Sequence, residues 1–140
     1  MQLADHLRPK VIFFENVSGF KRMYGGRAFH ALLKELDSMG YVLPVPPQVL
    51  DAADFGAPQH RLRTVVIAFR KGVKNDFEFP NPTHGDGTSL LNKKIRPHLS
   101  MEEAISDLPQ IKTGEAAFEY AEDPQNDFQR QMRIHAPKQL

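Results

Sequence analysis

The chain has 140 residues, of which 41% are hydrophobic and 25% are charged, and its formal net charge is +1. These values indicate one globular domain and exclude a disordered tail and a fibre. No apolar run approaches the roughly 20 residues that span a bilayer, and the charged N-terminus does not resemble a signal peptide. We therefore expect a cytoplasmic protein without membrane contact.

Cysteine is absent from the sequence. This absence excludes disulfide bonds, thiolate metal sites and every mechanism with a cysteine nucleophile in this chain. The charges are unevenly placed, because residues 1–70 hold nine Lys/Arg against six Asp/Glu, whereas residues 71–140 hold nine against eleven. A polyanionic partner would therefore contact the first half.

The first half predicts a sheet with one covering helix. Lys10–Phe14 predicts a short strand, apolar on both faces, at the centre of a parallel sheet. Arg27–Met39 predicts a helix that Gly40 ends. Tyr41–Leu50 predicts a second strand, which its prolines confine to an edge or interrupt, and Thr64–Arg70 is the clearest strand. A helix between strands predicts a βαβ-like unit in an α/β fold, with these strands in part of a doubly wound sheet.

The second half predicts irregular structure with short helices, because prolines and glycines are frequent in it. Ser100 followed by Glu103 predicts a capping box, which opens a helix that ends near Pro109. Another helix is predicted over residues 127–134. We therefore divide the chain into two parts, 1–72 and 73–140.

Two polar residues, Glu15 and Asn16, come directly after the first predicted strand. Ligands of open α/β sheets lie at the carboxyl ends of strands, so Glu15 is a candidate to contact a substrate. A carboxylate at this position can instead cap the following loop. The local sequence leaves both interpretations open.

The segment Gln59–Arg63 carries two guanidinium groups just before the clearest strand. In extended backbone, alternation would place Gln59, Arg61 and Arg63 on one face. Two arginines on one face can bind a phosphate or a carboxylate. They could equally form a solvated basic edge, or a structural ion pair with Glu15 across neighbouring strands.

The histidines do not indicate a metal site. His84, Asp86 and His98 lie near one another in the sequence, but their spacing matches no metal-ligand motif. The glycine pair that follows Tyr24 is likewise too short to indicate a phosphate loop. The residues alone therefore leave the cofactor unknown.

Two motifs together resemble a known family. Glu15-Asn-Val17, directly after Val-Ile-Phe-Phe, resembles the Glu-Asn-Val motif of DNA (cytosine-5) methyltransferases. Phe55-Gly-Ala-Pro-Gln-His-Arg-Leu-Arg63 resembles their Gly-x-Pro-Gln-x-Arg-x-Arg motif, and Gln59 lies 44 residues after Glu15, which fits the family. Pro82-Thr-His84 and the segment 100–109 are similar to the stretch that follows in bacterial members. The resemblance implies that residues 1–72 are the second half of a Rossmann-like catalytic domain, and that the extension leads toward the target-recognition region.

The resemblance also identifies what this sequence lacks. Family members bind S-adenosylmethionine through a Phe-x-Gly-x-Gly loop and carry their nucleophile in a Pro-Cys loop, and neither is present here. The resemblance implies an enzyme of the bacterial restriction-modification type that acts on double-stranded DNA. We expect the isolated chain to bind no cofactor and to be inactive. We also expect it to associate with itself or with the missing half of the methyltransferase.

The resemblance assigns roles to five residues. In the family, a cysteine thiolate adds to C6 of a flipped cytosine, which makes C5 nucleophilic. Glu15 then corresponds to the acid at N3, and Arg63 to the group that stabilises charge at O2. Arg61 would hold Glu15 or a flanking phosphate. Asn16 and Gln59 would brace the loops of the substrate site.

Two other functions stay open on the sequence alone. The chain could be a non-catalytic DNA-binding or regulatory remnant of such an enzyme, or an unrelated α/β domain in which the motifs occur by chance. The sequence does not indicate a DNA target. RNA also stays open as a substrate class, because some relatives act on tRNA.

Overall fold

The computed structural model describes residues 2–86 and 95–134. Its helices are α1 (Gln2–Leu7), α2 (Arg27–Ser38), α3 (Met101–Ile105) and α4 (Asp127–Arg133). Its strands are β1 (Val11–Val17), β2 (Tyr41–Val42), β3 (Gln48–Asp51), β4 (Leu62–Arg70), β5 (His84–Gly85) and β6 (Arg96–Pro97). The first four strands form one sheet in the order β1-β4-β2, with β3 also paired to β4, while β5 and β6 form a small parallel pair. None of the helices in the described residues has the length and apolar content that crossing a membrane requires.

Strand β1 differs from its prediction in its direction and in its burial, and among the described strands it lies at an edge of the sheet and not at the centre. It pairs antiparallel with β4, from Val11 opposite Phe69 to Val17 opposite Arg63, so the expected parallel neighbour was wrong. Its side chains also alternate in burial, and Phe13 is 65% exposed. A short apolar run fits both a strand buried on two faces and one covered on a single face, which explains the error.

The βαβ-like unit is confirmed, with one strand inserted into it. Strands β1 and β2 are both antiparallel to β4, so they run parallel to each other, with α2 between them in the chain. The predicted strand Tyr41–Leu50 is interrupted over residues 43–47. This segment lies beside residues 66–68 of β4, so it has more residues than the stretch of β4 opposite it and cannot pair with it residue by residue. Prolines in that segment cannot donate ladder hydrogen bonds, and this accounts for the interruption.

Helix α2 covers one face of the sheet, as its apolar spacing predicts. Leu32 and Leu36 are buried in the core, where they pack with residues of β1, β2 and β4. The helix ends just before Gly40, whose φ of 80° is a left-handed conformation that glycine adopts at little cost. The hydroxyl of Tyr41 donates to the carbonyl of Pro9 at 2.7 Å, which ties the start of β1 to this core.

Hydrogen bonds of polar side chains hold helices α3 and α4 together. The capping box predicted at Ser100 and Glu103 is present, and α3 begins directly after it. Helix α4 is capped by Asn126, whose side chain accepts from the backbone N–H of Gln129. Gln129 is 1% exposed, and it donates to the carbonyl of Glu103 at 2.8 Å. Because this amide is fully bonded, its burial fixes the two helices against each other.

Some short elements were not predicted. Helix α1 and the β5–β6 pair have no counterpart in the sequence analysis, nor does the 3-10 turn over Ala52–Phe55 between β3 and β4. Strands of two residues carry no periodicity that a sequence pattern could reveal. The division of the chain at residue 72 stays a prediction.

We expect Leu36→Ala to lower the free energy of unfolding by about 2–5 kcal/mol, because Leu36 is fully buried between α2 and the sheet. Urea denaturation followed by circular dichroism measures this change. Leu3→Ala is the matched control, since Leu3 is 71% exposed and its truncation should change the stability by less than about 0.5 kcal/mol. Equal losses in the two variants would contradict the position of α2 on the sheet.

Candidate functional site

Glu15 and Arg63 contact each other on the face of the sheet opposite α2. Arg63 lies opposite Val17, and Glu15 lies opposite Val65, so the two charged residues are diagonal neighbours across β1 and β4. Nε of Arg63 and Oε1 of Glu15 are 2.5 Å apart. The two motifs that are 44 residues apart in sequence therefore meet at one point.

The pair is only partly covered. The side chain of Glu15 is 43% exposed and that of Arg63 is 23% exposed, and Nη1 of Arg63 also donates to the carbonyl of Leu62. Among residues 2–86 and 95–134, no backbone N–H donates to the Glu15 carboxylate, so the structure shows an ion pair here and not a loop cap. A carboxylate beside an oriented guanidinium can bind the polar edge of a planar ligand. The carboxylate then contacts one polar atom of that edge, and the guanidinium contacts the neighbouring one.

The three other candidate residues take different positions. Asn16 lies within β1 and not after it, and its Oδ1 accepts from the N–H of Val17. Gln59 is exposed, and it lines a cavity of about 330 Å³ between its loop and the start of α3. Strand β4 begins only at Leu62, so the alternation that would align Gln59, Arg61 and Arg63 does not extend back to Gln59.

Arg61 does not contact Glu15, although one proposed role for it required that contact. The side chain of Arg61 is exposed, and in the part of the chain that the structure describes it makes no hydrogen bond or ion pair. Arg63 takes the position beside Glu15 because it lies within β4, opposite Val17, whereas Arg61 precedes β4 and has no residue of β1 opposite it.

Asp51 holds the loop that carries this motif, and the sequence analysis missed it. Its Oδ1 accepts from the N–H of Ala53 at 3.2 Å and from the N–H of Arg61 at 2.7 Å. Nδ1 of His60 donates to its Oδ2 at 2.8 Å. One carboxylate therefore joins both ends of the loop and fixes where β4 begins. An acid just before Ala-Ala-Asp is typical of the cap of a short helix, and that signal could have identified Asp51.

These contacts shift two pKa values in opposite directions. Burial raises the pKa of the Asp51 carboxyl, but the hydrogen bonds from His60, Arg61 and Ala53 outweigh it and leave the pKa below its ordinary value. The hydrogen bond to Asp51 and the charge of Asp51 raise the pKa of the His60 imidazole. Asp51 and His60 are therefore both charged over a wider pH range than they would be without this contact.

The second half of the chain packs against the same loop. Nε2 of His98 donates to Oδ1 of Asp54 at 2.9 Å. His84 packs directly on Gly56, where a Cβ atom would approach the His84 ring to 2.9 Å and where φ is 92°. Any other residue at position 56 would therefore displace the ring. Within the described residues, no three His, Asp or Glu side chains are grouped as a metal site would require.

Comparison with known proteins identifies a family. The family model described as C-5 cytosine-specific DNA methylase matches residues 1–139. Type II methyltransferase M.AgeI of Thalassovita gelatinovora is 32% identical over 146 residues, which cover 93% of this chain and 33% of that protein. Type II methyltransferase M.AquIA of Picosynechococcus is 36% identical over 120 residues, which cover 78% of this chain and 48% of that protein. The chain thus spans about a third to a half of the length of these two relatives.

One solved structure supports the fold. A crystal structure from E. coli, described as that of a prophage-encoded DNA modification methyltransferase, matches with a TM-score of 0.62. The match covers 91% of this chain and 35% of that chain, at 22% sequence identity. The chain accordingly has a mixed α/β fold with part of a Rossmann-like sheet.

We expect Asp51→Asn to lower the pKa of His60 toward its ordinary value of 6.5, because the charge and the acceptor oxygen that raise it are both changed. NMR titration of the imidazole measures this shift. The stabilisation from the charged pair is fully present below pH 6.5 and is lost as the pH rises through the raised pKa of His60. The variant should therefore show a flatter dependence of stability on pH in that interval.

Asp51→Ala provides the matched comparison for the loop. An asparagine can still accept from the N–H groups of Ala53 and Arg61, whereas an alanine cannot, so amide exchange at these two positions should accelerate mainly in Asp51→Ala. Asp37→Asn, a change on the exposed face of α2, should leave the His60 titration unchanged. An unshifted His60 pKa in Asp51→Asn would refute the role of this carboxylate.

Proposed function

The chain belongs to the C-5 cytosine-specific DNA methylase family, and we propose that it is the part of a DNA cytosine-5 methyltransferase that binds and activates the target base. One observation carries this proposal: the residues of the two family motifs, Glu15 and Arg63, contact each other on a partly exposed face. The type II methyltransferases among its relatives support a restriction-modification enzyme. A cytoplasmic location is part of the same proposal.

The chemistry explains why an acid and a guanidinium are needed side by side. C5 of cytosine is a poor nucleophile until a thiolate has added to C6 of the flipped base, and that addition moves electron density onto N3 and O2. N3 and O2 are separated by one ring carbon, so one edge of the base can contact Glu15 and Arg63 at the same time. Glu15 takes up a proton from solvent and then donates it to N3, which returns Glu15 to the carboxylate form, while Arg63 stabilises the charge on O2. Both interactions strengthen as the charge develops, which is what lowers the barrier.

The methyl donor is not held by the residues of this chain. In the complete enzyme S-adenosylmethionine supplies an electrophilic methyl group to C5, but the sequence contains neither a Phe-x-Gly-x-Gly loop nor a cysteine. Cofactor binding and thiolate addition are therefore assigned to other residues of the enzyme. In this proposal Arg61 contacts a flanking phosphate, and Asn16 and Gln59 support the loops on either side of the pair.

Strand β1 offers a surface for the rest of the enzyme. Among the described residues it pairs only with β4, so its second edge has free backbone groups. The face that carries Glu15 also exposes apolar side chains, with Phe13 at 65% and Val17 at 49%. An open edge beside an exposed apolar face favours association. We propose that the half of the methyltransferase with the cofactor loop covers this surface, and that self-association is the alternative when that half is absent.

The isolated chain should transfer no methyl group to DNA, because it has no thiolate for C6. The measurement is transfer of a labelled methyl group from S-adenosylmethionine to mixed-sequence double-stranded DNA. A polypeptide that carries the glycine and Pro-Cys loops should restore transfer when it is added, and it should co-sediment with the chain. Transfer by the chain alone, free of contaminating enzyme, would overturn the mechanism.

In that reconstituted enzyme, Glu15→Gln should lower kcat by about 10²–10⁴-fold, because it removes a proton donor that acts in the transition state. DNA affinity should change by less than about threefold, since the amide keeps most ground-state contacts. Glu102→Gln, at an exposed acid in α3, is the control and should leave both quantities unchanged. A loss of DNA affinity with an unchanged kcat would show that Glu15 has a binding role only.

A further inference from the structure

A turn next to the Glu15–Arg63 pair carries positive charge that no acid among residues 2–86 and 95–134 neutralises. Residues 16–34 contain four Lys/Arg and no Asp/Glu. The 22–27 turn, which we define as Arg22 to Arg27, follows a 3-10 turn over Ser18–Lys21 after β1 and leads into α2. Oγ1 of Thr64 donates to the carbonyls of Val17 and Ser18, which fixes the approach to this turn beside the start of β4. The turn and the ion pair therefore lie at the same end of the sheet.

Of the three cations at or directly before this turn, two are free to bind a ligand and one is not. Arg22 is exposed, and within the described ranges its guanidinium makes no hydrogen bond or ion pair. Arg27 uses only Nε, which donates to the carbonyl of Tyr24 at 3.0 Å, so its four Nη hydrogens stay available. Lys21 instead donates to the carbonyl of Pro47 at 2.7 Å. Lys21 thus anchors the turn, while the two arginines point their donors to solvent.

The turn is held in an unusual conformation that exposes an aromatic ring. Tyr24 has a φ of 51°, followed by 66° at Gly25 and 82° at Gly26. A tyrosine in the left-handed region costs free energy, and such residues persist where the surrounding structure enforces them. Nδ1 of His30 donates to the carbonyl of Gly26 at 2.8 Å and closes the turn. The Tyr24 side chain is 70% exposed, so packing in the core does not explain the strain.

The start of α2 adds to the same positive potential. Gly26 is the N-cap residue, no side chain caps the first turn, and that turn contains no acidic residue. The partial positive charge of a 12-residue helix therefore remains uncompensated beside Arg27. Two guanidinium groups, an exposed phenol and a helix start together form a surface of donors without acidic side chains.

We propose that the 22–27 turn binds the phosphodiester backbone of duplex DNA, with Arg22 and Arg27 on phosphates and the Tyr24 hydroxyl donating to a phosphate oxygen. The choice of DNA rests on the proposed function, because the adjoining pair would bind a base of the same duplex. Arginine and tyrosine donors are groups that contact phosphates in protein–DNA complexes, and such contacts position a duplex without reading its sequence. The turn would therefore hold the strand while Glu15 and Arg63 act on the extruded base.

The test measures the salt dependence of binding by the full chain to a labelled mixed-sequence duplex, using fluorescence anisotropy. Arg22→Ala/Arg27→Ala should weaken binding at low salt by about tenfold or more, and should reduce the slope of log K against log salt by about 1–2. Lys71→Ala/Arg130→Ala is the matched control, because it removes the same net charge from two exposed ion pairs elsewhere. Binding by this control should change by less than about twofold.

Two single variants keep the result interpretable if the double variant is unstable. Arg22→Ala removes a side chain with no contact to lose, so it should keep the fold and account for about one unit of salt slope. Tyr24→Phe should weaken binding severalfold without changing the slope, because it removes a hydroxyl and no charge. Equal weakening by the turn variant and the control variant would overturn the inference, as would a wild-type chain that does not bind at low salt. Binding through the turn, without methyl transfer in the reconstituted enzyme, would retain this inference and refute the proposed function.

Discussion

The antiparallel register of β1 on β4 determines nearly everything else in the sheet. Because Val17 lies opposite Arg63, the odd-numbered residues of both strands share the outer face and the even-numbered residues pack under α2. A slip of one residue would turn Glu15 into the core and move Phe14 to the outside. The core therefore specifies the site: Phe14 and Val66 must be buried under α2, and the diagonal contact between Glu15 and Arg63 is a consequence of that requirement.

A second constraint acts where β4 begins. The register positions Arg63 only if the preceding loop ends at the right residue, and the Asp51 carboxylate ensures this by accepting from the N–H of Arg61. His98 then bonds the same loop from the second half of the chain through Asp54. The loop is thus held on two sides by polar contacts, which suits a segment whose small residues contribute little apolar burial. In the proposed function Arg63 must meet a planar base with close positional tolerance, and that role needs such support.

The sequence predicted what local patterns control. Helix α2, the strand at Thr64–Arg70 and the capping box at Ser100 all depend on contacts within a few residues, and all three are present. It failed where the outcome depends on distant residues. The direction of β1 is set by a partner about 50 residues later in the chain, and no periodicity in Lys10–Phe14 encodes that direction. The partner of Glu15 was ambiguous between Arg61 and Arg63 for the same reason, since only the observed start of β4 decides which arginine faces it.

In the proposed function, the distribution of charge separates two tasks of the site, attraction of DNA and selection of the base. Glu15 largely neutralises Arg63, so that arginine adds little to long-range attraction for a polyanion, and its donors act only on a group that reaches the pair. Attraction for the phosphate backbone must come from cations without acidic partners, and among the described residues Arg22, Arg27 and Arg61 are such cations at the same end of the sheet. The Glu15–Arg63 pair would discriminate among bases, because a bound base must replace the contact between these two side chains with specific contacts of its own. Uncompensated arginines cannot discriminate in this way, because every nucleotide presents the same phosphate. Affinity and base selection would then reside in different residues, and a change in one need not alter the other.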